Sequence, residues 1–320
     1  VDSFTEIWKP AVVFQSSPYV QAYLKKNYEK NKLSEPESKS YDNCYPFIYY
    51  LEHGRKYYQH ASIAEMELKP VLLFYGMVQL LKACLLTVDP EYPNETTVLA
   101  HGVTSRKRKK RNYVFLQDEV KGQKNGLFEY FSRKLFHVKQ SEGEKYRMEM
   151  LLKRIPELND LFYTLFSRNT SFILEPAGRN DYKVSSSIID SLKMTHERFI
   201  DFLLSQEVSS LCKIENKTDY FHLTFEKPIA NDCPPFYQDF NGNCFLPGER
   251  EGYLELHEVM SHYLILYNLS MICRYETEWW GDLFHSFASY DLSFITRFLE
   301  VTAYKIPYLL LKFLTENAED

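Results

Sequence analysis

Glycine is scarce in this chain, with 11 residues in 320, about half the usual frequency of roughly 7%. Neither GxGxxG nor GxxxxGK[ST] occurs, which excludes the glycine-rich phosphate cradles of dinucleotide-binding and P-loop folds. There is no GxSxG nucleophile elbow. The six cysteines, Cys44, Cys84, Cys212, Cys233, Cys244 and Cys273, contain no CxxC pair, so zinc ribbons and dithiol redox motifs are out. A basic excess is missing as well: the net charge of −5 gives no global pull toward nucleic acid. The chain opens on VDSFTEIWKP, with no leader-like run. A reducing cytoplasm is therefore the expected location, with the sequons at Asn94, Asn169, Asn216 and Asn268 as chance matches.

Aromatic residues are plentiful, 25 Tyr and 23 Phe, enough for a large core. The sequence is organised around Pro70 to Thr87, PVLLFYGMVQLLKACLLT. Proline suits a first helical position because its missing N–H would be unpaired there. Nearly everything after it is apolar, so the helix is read as buried among other helices. It is short for a membrane span and Lys82 interrupts it, so no membrane association is expected. Tyr75, Gln79 and Lys82 fall at i, i+4 and i+7, one narrow polar stripe that either lines a pocket or satisfies itself. Gly76 and Ala83 offer an adjacent face for close approach of another backbone.

Further helices are expected over Ser17 to Lys32, Tyr41 to His60 (begun near Pro46), Glu144 to Arg154, Pro156 to Phe166, and Ser187 to Ser205. Others follow from Leu254 to Glu278, where Trp279-Trp280-Gly281 marks the end, then at Leu292 to Tyr304 and Pro307 to Leu314. Ser62 and Glu65 have capping-box spacing before the central helix. Tyr182 to Ser186 and Tyr220 to Glu226 alternate like strands, and Asn241-Gly242 between aromatics is a hairpin signal. The expected fold is mainly α: a multi-helix bundle around the buried helix 70–87 with a small antiparallel β-insertion. Its parts are 1–168, the insertion 169–255, and helices 256–320 that pack back on the first part as one composite domain.

The most unusual local feature is Arg106, Lys107, Arg108, Lys109, Lys110 and Arg111, six consecutive cations in an acidic protein. Each supplies a donor for phosphate or carboxylate, and Tyr113 and Phe115 follow, so stacking on a base is open to it. The plainer reading is a solvated loop. His257-Glu258 and His262 suggest a zinc helix, but that motif needs histidines at i and i+4. Here they stand at i and i+5, about 140° apart around a helix, so no metal is expected and a structural role is favoured. Glu276 and Glu278 beside Trp279 and Trp280 read as a helix end rather than a carbohydrate site.

Long stretches resemble the YaaC-like family of Firmicute proteins. They are SPYVQAYL, YDNCYPFIYYLEH, PVLLFYGMVQLLKACLLTVDP, HGVTSRKRKK with FLQDEVKGQKNGLF, KRIPEL and YNLSMICRYETEWWGDL, so the likeness runs nearly end to end. The resemblance implies no established chemistry. Because such proteins are often encoded beside IMP dehydrogenase, it points to purine nucleotide metabolism and to that enzyme as a first candidate partner. A fainter likeness is to HEPN helical domains, whose ribonucleases carry an R-x4-6-H motif. Arg55 to His60 and Arg250 to His257 fit that spacing, though composition alone accounts for about one such match, and Lys56 and Glu251 stand where a polar residue usually follows the arginine. The expectation is a non-enzymatic binding or regulatory protein without cofactor, using Arg106 to Arg111 on a protein partner or nucleotide. The alternative is a HEPN-like ribonuclease or RNA-binding protein using Arg55 and His60.

Overall fold

The computed structural model describes residues 3–105, 113–139, 142–206, 208, 210–227, 229, 234–287 and 289–319. Helix predominates. The first helices are α1 (Ser3–Trp8), α2 (Ser17–Lys30), α3 (Pro36–Ile63), α4 (Lys69–Val88) and α5 (Leu127–Phe136). Short ones follow: α6 (Met148–Leu152), α7 (Asn159–Phe166), α8 (Ile188–Leu192) and α9 (His196–Leu204). The chain closes with α10 (Glu258–Tyr275), α11 (Thr277–Ser286) and α12 (Asp291–Glu319). The fold divides into two compact units, Val1–Tyr146 with His262–Asp320, and Arg147–Ser261.

In the first unit α4 packs against α2, α3, α5 and α12. Its Leu73, Phe74, Met77, Leu80, Leu81 and Leu85 are fully buried. By length and hydropathy alone this 20-residue helix passes for a membrane span, but 67% of the qualifying window is buried inside the protein. Gly76 is where α3 comes close: a Cβ built there would stand 2.9 Å from the Tyr58 ring and 3.1 Å from Tyr57 Cβ.

Helix α3 does not begin near Pro46. It starts at Pro36 and runs through Pro46, because Ser40, Cys44, Phe47 and Leu51 share a buried face that outweighs one missing backbone donor. Helix α12 likewise runs unbroken through Pro307 instead of splitting in two. The capping box is also corrected: Ser62 belongs to the end of α3 and its hydroxyl donates to the Gln59 carbonyl at 2.7 Å. Trp279-Trp280-Gly281 lies inside α11, not at a helix end.

Two sheets are present, more β-structure than a small insertion. A three-stranded sheet has the order β1 (Val103–Ser105), β2 (Glu119–Gly122) and β3 (Lys145–Arg147). The expected helix from Glu144 is thus a strand followed by α6. The second unit is built on β4 (Ser171–Pro176), β5 (Asp181–Ser185), β6 (Leu211–Asn216), β7 (Tyr220–Phe225), β8 (Tyr237–Gln238) and β9 (Cys244–Pro247). They form an antiparallel sheet of order β6-β7-β5-β4-β9-β8. Phe172, Leu174, Val184, Phe221, Leu223 and Leu246 of the sheet pack with Ile188, Leu192, Phe199 and Leu203 of α8 and α9.

Those two helices were expected as one. The break is Lys193, left-handed at φ 54, where Arg250 donates to the Leu192 and Lys193 carbonyls at 3.1 and 3.2 Å; Thr195 then caps α9 by accepting from the Arg198 N–H. The hairpin at Asn241-Gly242 is real but one residue longer than the tightest form. The Gly242 N–H donates to the Asp239 carbonyl at 3.1 Å, and Gly242 takes φ +78, a type I turn closed by a glycine bulge.

Candidate functional site

The polar stripe of α4 gathers an unusual set of side chains in the first unit. Tyr75, Gln79 and Lys82 are each half-buried on an otherwise buried helix. The Lys82 ammonium stands 5.6 Å from the centre of the Tyr50 ring, and burial pulls its pKa below the usual lysine value. The Tyr75 ring stacks on Tyr57 with centroids 6.1 Å apart. Arg274, near the end of α10, sits 6.0 Å from the same ring and donates to the Tyr75 hydroxyl at 3.5 Å. Its Nε donates to the Ser270 carbonyl at 3.0 Å, which fixes the guanidinium against α10.

His101 completes the group from the loop before β1. Its ring lies 5.0 Å from Phe74, 6.1 Å from Tyr75 and 5.9 Å from Tyr267. The backbone carbonyl of His101 is held by the Tyr263 hydroxyl at 2.8 Å. Burial, then the positive charges of Arg274 and Lys82, lower the His101 pKa. The imidazole therefore feels the charge of both cations. Among the described residues no carboxylate forms an ion pair with any of the three. At the far end of α4 the contrast is plain: Asp89 takes Lys134 at 2.7 Å and the Tyr130 hydroxyl at 2.6 Å.

A group of half-buried cations with no counter-charge is electrostatically unsatisfied, and an anion relieves it. The tyrosines add flat faces on which a ring stacks. Tyr75, Gln79 and Lys82 were legible as a stripe from their spacing. Tyr50, Tyr57, His101, Tyr267 and Arg274 were not singled out. Arg274 left one signal: it carries the apolar period of α10, where a charged side chain must find a polar or aromatic neighbour.

The six-cation run Arg106 to Arg111 lies outside the described residues. The segment after it is firmly held. The Tyr113 hydroxyl donates to Asp118 at 2.7 Å and the Asn268 amide donates to the same oxygen at 2.8 Å. Tyr113 meets Trp279 edge-on at 4.7 Å. Asp291, at the start of α12, accepts the Phe115 and Leu116 N–H groups at 2.9 and 3.4 Å; burial raises its pKa while those donors lower it.

Arg55 and His60 sit five residues apart on α3, about 140° around the axis. Arg55 lines a cleft with Trp8 and Phe14, and His60 is exposed. Arg250 is engaged at the end of α8, as above. His257 accepts the Val259 N–H at 3.1 Å, and His262 meets the Thr302 hydroxyl at 2.8 Å. Among the described residues no three His, Cys, Asp or Glu side chains form a metal-binding group. Trp280 is buried, its indole N–H donating to the Glu67 carbonyl at 3.0 Å, a structural use.

The model of the YaaC-like protein family matches residues 12–314. The chain belongs to the YaaC-like family. No curated protein and no solved structure matches it, so the family membership carries no activity with it, and the HEPN likeness is not shown by any of these comparisons. Within the YaaC-like chain two of the stretches quoted above for the resemblance, Tyr41 to His53 and Pro70 to Pro90, contribute Tyr50, Tyr75, Gln79 and Lys82 to this group.

Proposed function

We propose that this YaaC-like protein is a non-enzymatic binding or regulatory protein that takes a nucleotide at Lys82, His101 and Arg274. The observation that carries this reading is the absence, among the described residues, of any carboxylate paired with these three groups, in a setting of tyrosine faces. Lys82 and Arg274 supply charge-assisted donors to a phosphate, and a base stacked on tyrosine adds about 1–3 kcal/mol. We read α4 as the hub of a helical bundle that presents the stripe. The basic run Arg106 to Arg111 engages an acidic protein partner from the same unit, in a salt-sensitive association. The family resemblance makes IMP dehydrogenase the first partner to try.

Calorimetric titration with a panel of purine and pyrimidine nucleotides tests the ligand site. Binding by the native protein that weakens at least tenfold in Lys82→Met and in Arg274→Gln supports it. Nucleotide binding indifferent to both substitutions, or no binding of any nucleotide, removes it. The partner arm is separate. Retention of IMP dehydrogenase at low salt, lost when the six cations become Ser or Gln, supports the basic run. Retention unchanged by that replacement excludes it.

A further inference from the structure

A second site lies in the same unit on α3, away from the stripe residues named above. Ile48, Leu51, Glu52 and Arg55 stand at i, i+3, i+4 and i+7, one face of the helix. Opposite them runs the end of α1 and the 3-10 turn Lys9–Gln15, and together they enclose a cleft of about 310 Å³. The Trp8 ring lies 5.9 Å from Tyr58 and the Phe14 ring 5.4 Å from Phe47. Trp8 thus marks the end of the cleft near Arg55, and Phe14 the end near Ile48, roughly 10 Å away along the helix at 1.5 Å per residue. Trp8, Phe14 and Leu51 are packed into the fold, at 2%, 2% and 6% exposed, and form a fixed floor, while Ala11 and Ile48 are half-buried and carry more of the accessible apolar lining.

Arg55 gives this cleft its polarity. It is half-buried, and among the described residues it makes no hydrogen bond and no ion pair. The acid one turn away, Glu52, is committed to Lys56 at 2.6 Å. An apolar trough ending in an unpaired guanidinium fits a ligand with an apolar body and an anionic head. We infer that the cleft binds a linear aliphatic carboxylate, its chain along Ile48, Leu51 and Phe14 and its head forked onto Arg55. A carboxylate matches the planar guanidinium with two parallel hydrogen bonds. A phosphate dianion is disfavoured, because Glu52 sits on the same face and a single cation balances a single charge. The same pairing gives Arg55 a use that does not involve His60.

The test is calorimetry and tryptophan fluorescence with decanoate below its micellar range, against decanol as the uncharged control. The expected result is one decanoate per chain, decanol at least tenfold weaker, and a fluorescence change lost in Trp8→Phe. Arg55→Gln should weaken decanoate at least tenfold while leaving decanol unchanged, so that the two bind alike. Ala11→Phe, which adds bulk to the cleft wall while keeping Arg55, should weaken both. Decanol equal to decanoate on the native protein, or decanoate unaffected by Arg55→Gln, overturns the assignment. If a substitution unfolds the chain, the decanoate–decanol comparison on the native protein decides alone. Nucleotide binding at Lys82 is independent of either result.

Discussion

Two cationic regions of this protein solve the same problem in opposite ways. In the second unit, Arg154 is only 2% exposed and spends its guanidinium on backbone: it donates to the carbonyls of Gly252, Leu254 and Leu256 at 2.6, 3.0 and 2.5 Å. Tyr237 covers it at 5.1 Å. Those bonds fold the segment 251–256 around one charge, and nothing about the arrangement asks for a ligand. On α4, Lys82 has a ring beside it and, among the described residues, no carboxylate, and Arg274 of α10 has one carbonyl, one hydroxyl and one thioether. A buried charge whose two terminal nitrogens are met by carbonyls is architecture. A half-buried charge left short of partners is where we propose the ligand binds.

Arg154→Met gives the largest effect. It takes a donor from the buried Gly252 and Leu256 carbonyls and from the part-buried Leu254 carbonyl. Among the described residues only Gly252 keeps a second donor, in the Tyr237 hydroxyl. At about 1–3 kcal/mol for each buried group left unmet, a loss of roughly 3 kcal/mol is expected in urea unfolding of the intact chain. A change under about 1 kcal/mol would show that the carbonyls find water, and the comparison would lose its structural side. Next comes Gly76→Ala, on the face of α4 that meets α3. The new methyl forces the Tyr58 ring aside, and Tyr58 is itself buried, so overpacking of about 1–3 kcal/mol is expected. Lys82→Met is the counterpart of Arg154→Met and should behave differently. Removing a desolvated ammonium that has no ion-pair partner among the described residues leaves stability within about 1 kcal/mol of the native value, or raises it. The same change should weaken nucleotide binding at least tenfold. If Lys82→Met destabilises as much as Arg154→Met, Lys82 is structural and the contrast collapses.

The helix-rich architecture was legible because its signal is periodic. Val20, Tyr23, Leu24 and Tyr28 of α2, and the apolar run of α4, repeat at the spacing a buried helix face requires. What escaped was set by partners distant in sequence. Proline signals a helix start locally, yet Pro46 and Pro307 stay inside long helices because buried side chains on both sides hold them there. Leu211 to Asn216 has no clean alternation, since β6 borders β7 on one side alone and none of its residues is buried; it became a strand by pairing. Lys193 shows no breaker chemistry, and the carbonyls it exposes are taken by Arg250, 57 positions away. The site divides in the same way. Three stripe residues lie on one helix and can be counted off. His101 and Arg274 join them only because the loop before β1 and the end of α10 converge there.

The smallest effect is the most discriminating, because one residue should produce two slopes of opposite sign. Burial and the charges of Arg274 and Lys82 lower the His101 pKa in the folded protein. The unfolded chain, with an ordinary histidine near 6.5, then binds more protons than the fold. Stability should rise with pH through the range around 6.5 and fall on acidification below it. A bound anion acts in the other direction. It offsets the charges of Arg274 and Lys82 and restores protonation of His101, so the complex takes up a proton and affinity should strengthen, by up to about tenfold per pH unit, as pH falls from 8 to 6. His101→Gln should remove its share of both slopes while the other histidines continue to titrate. Parallel melts and nucleotide titrations of the two proteins across that range decide it. Opposed slopes that both flatten in the variant place His101 in the anion's field. A binding slope unchanged by the substitution leaves Lys82 and Arg274 as the whole of the charge the ligand meets.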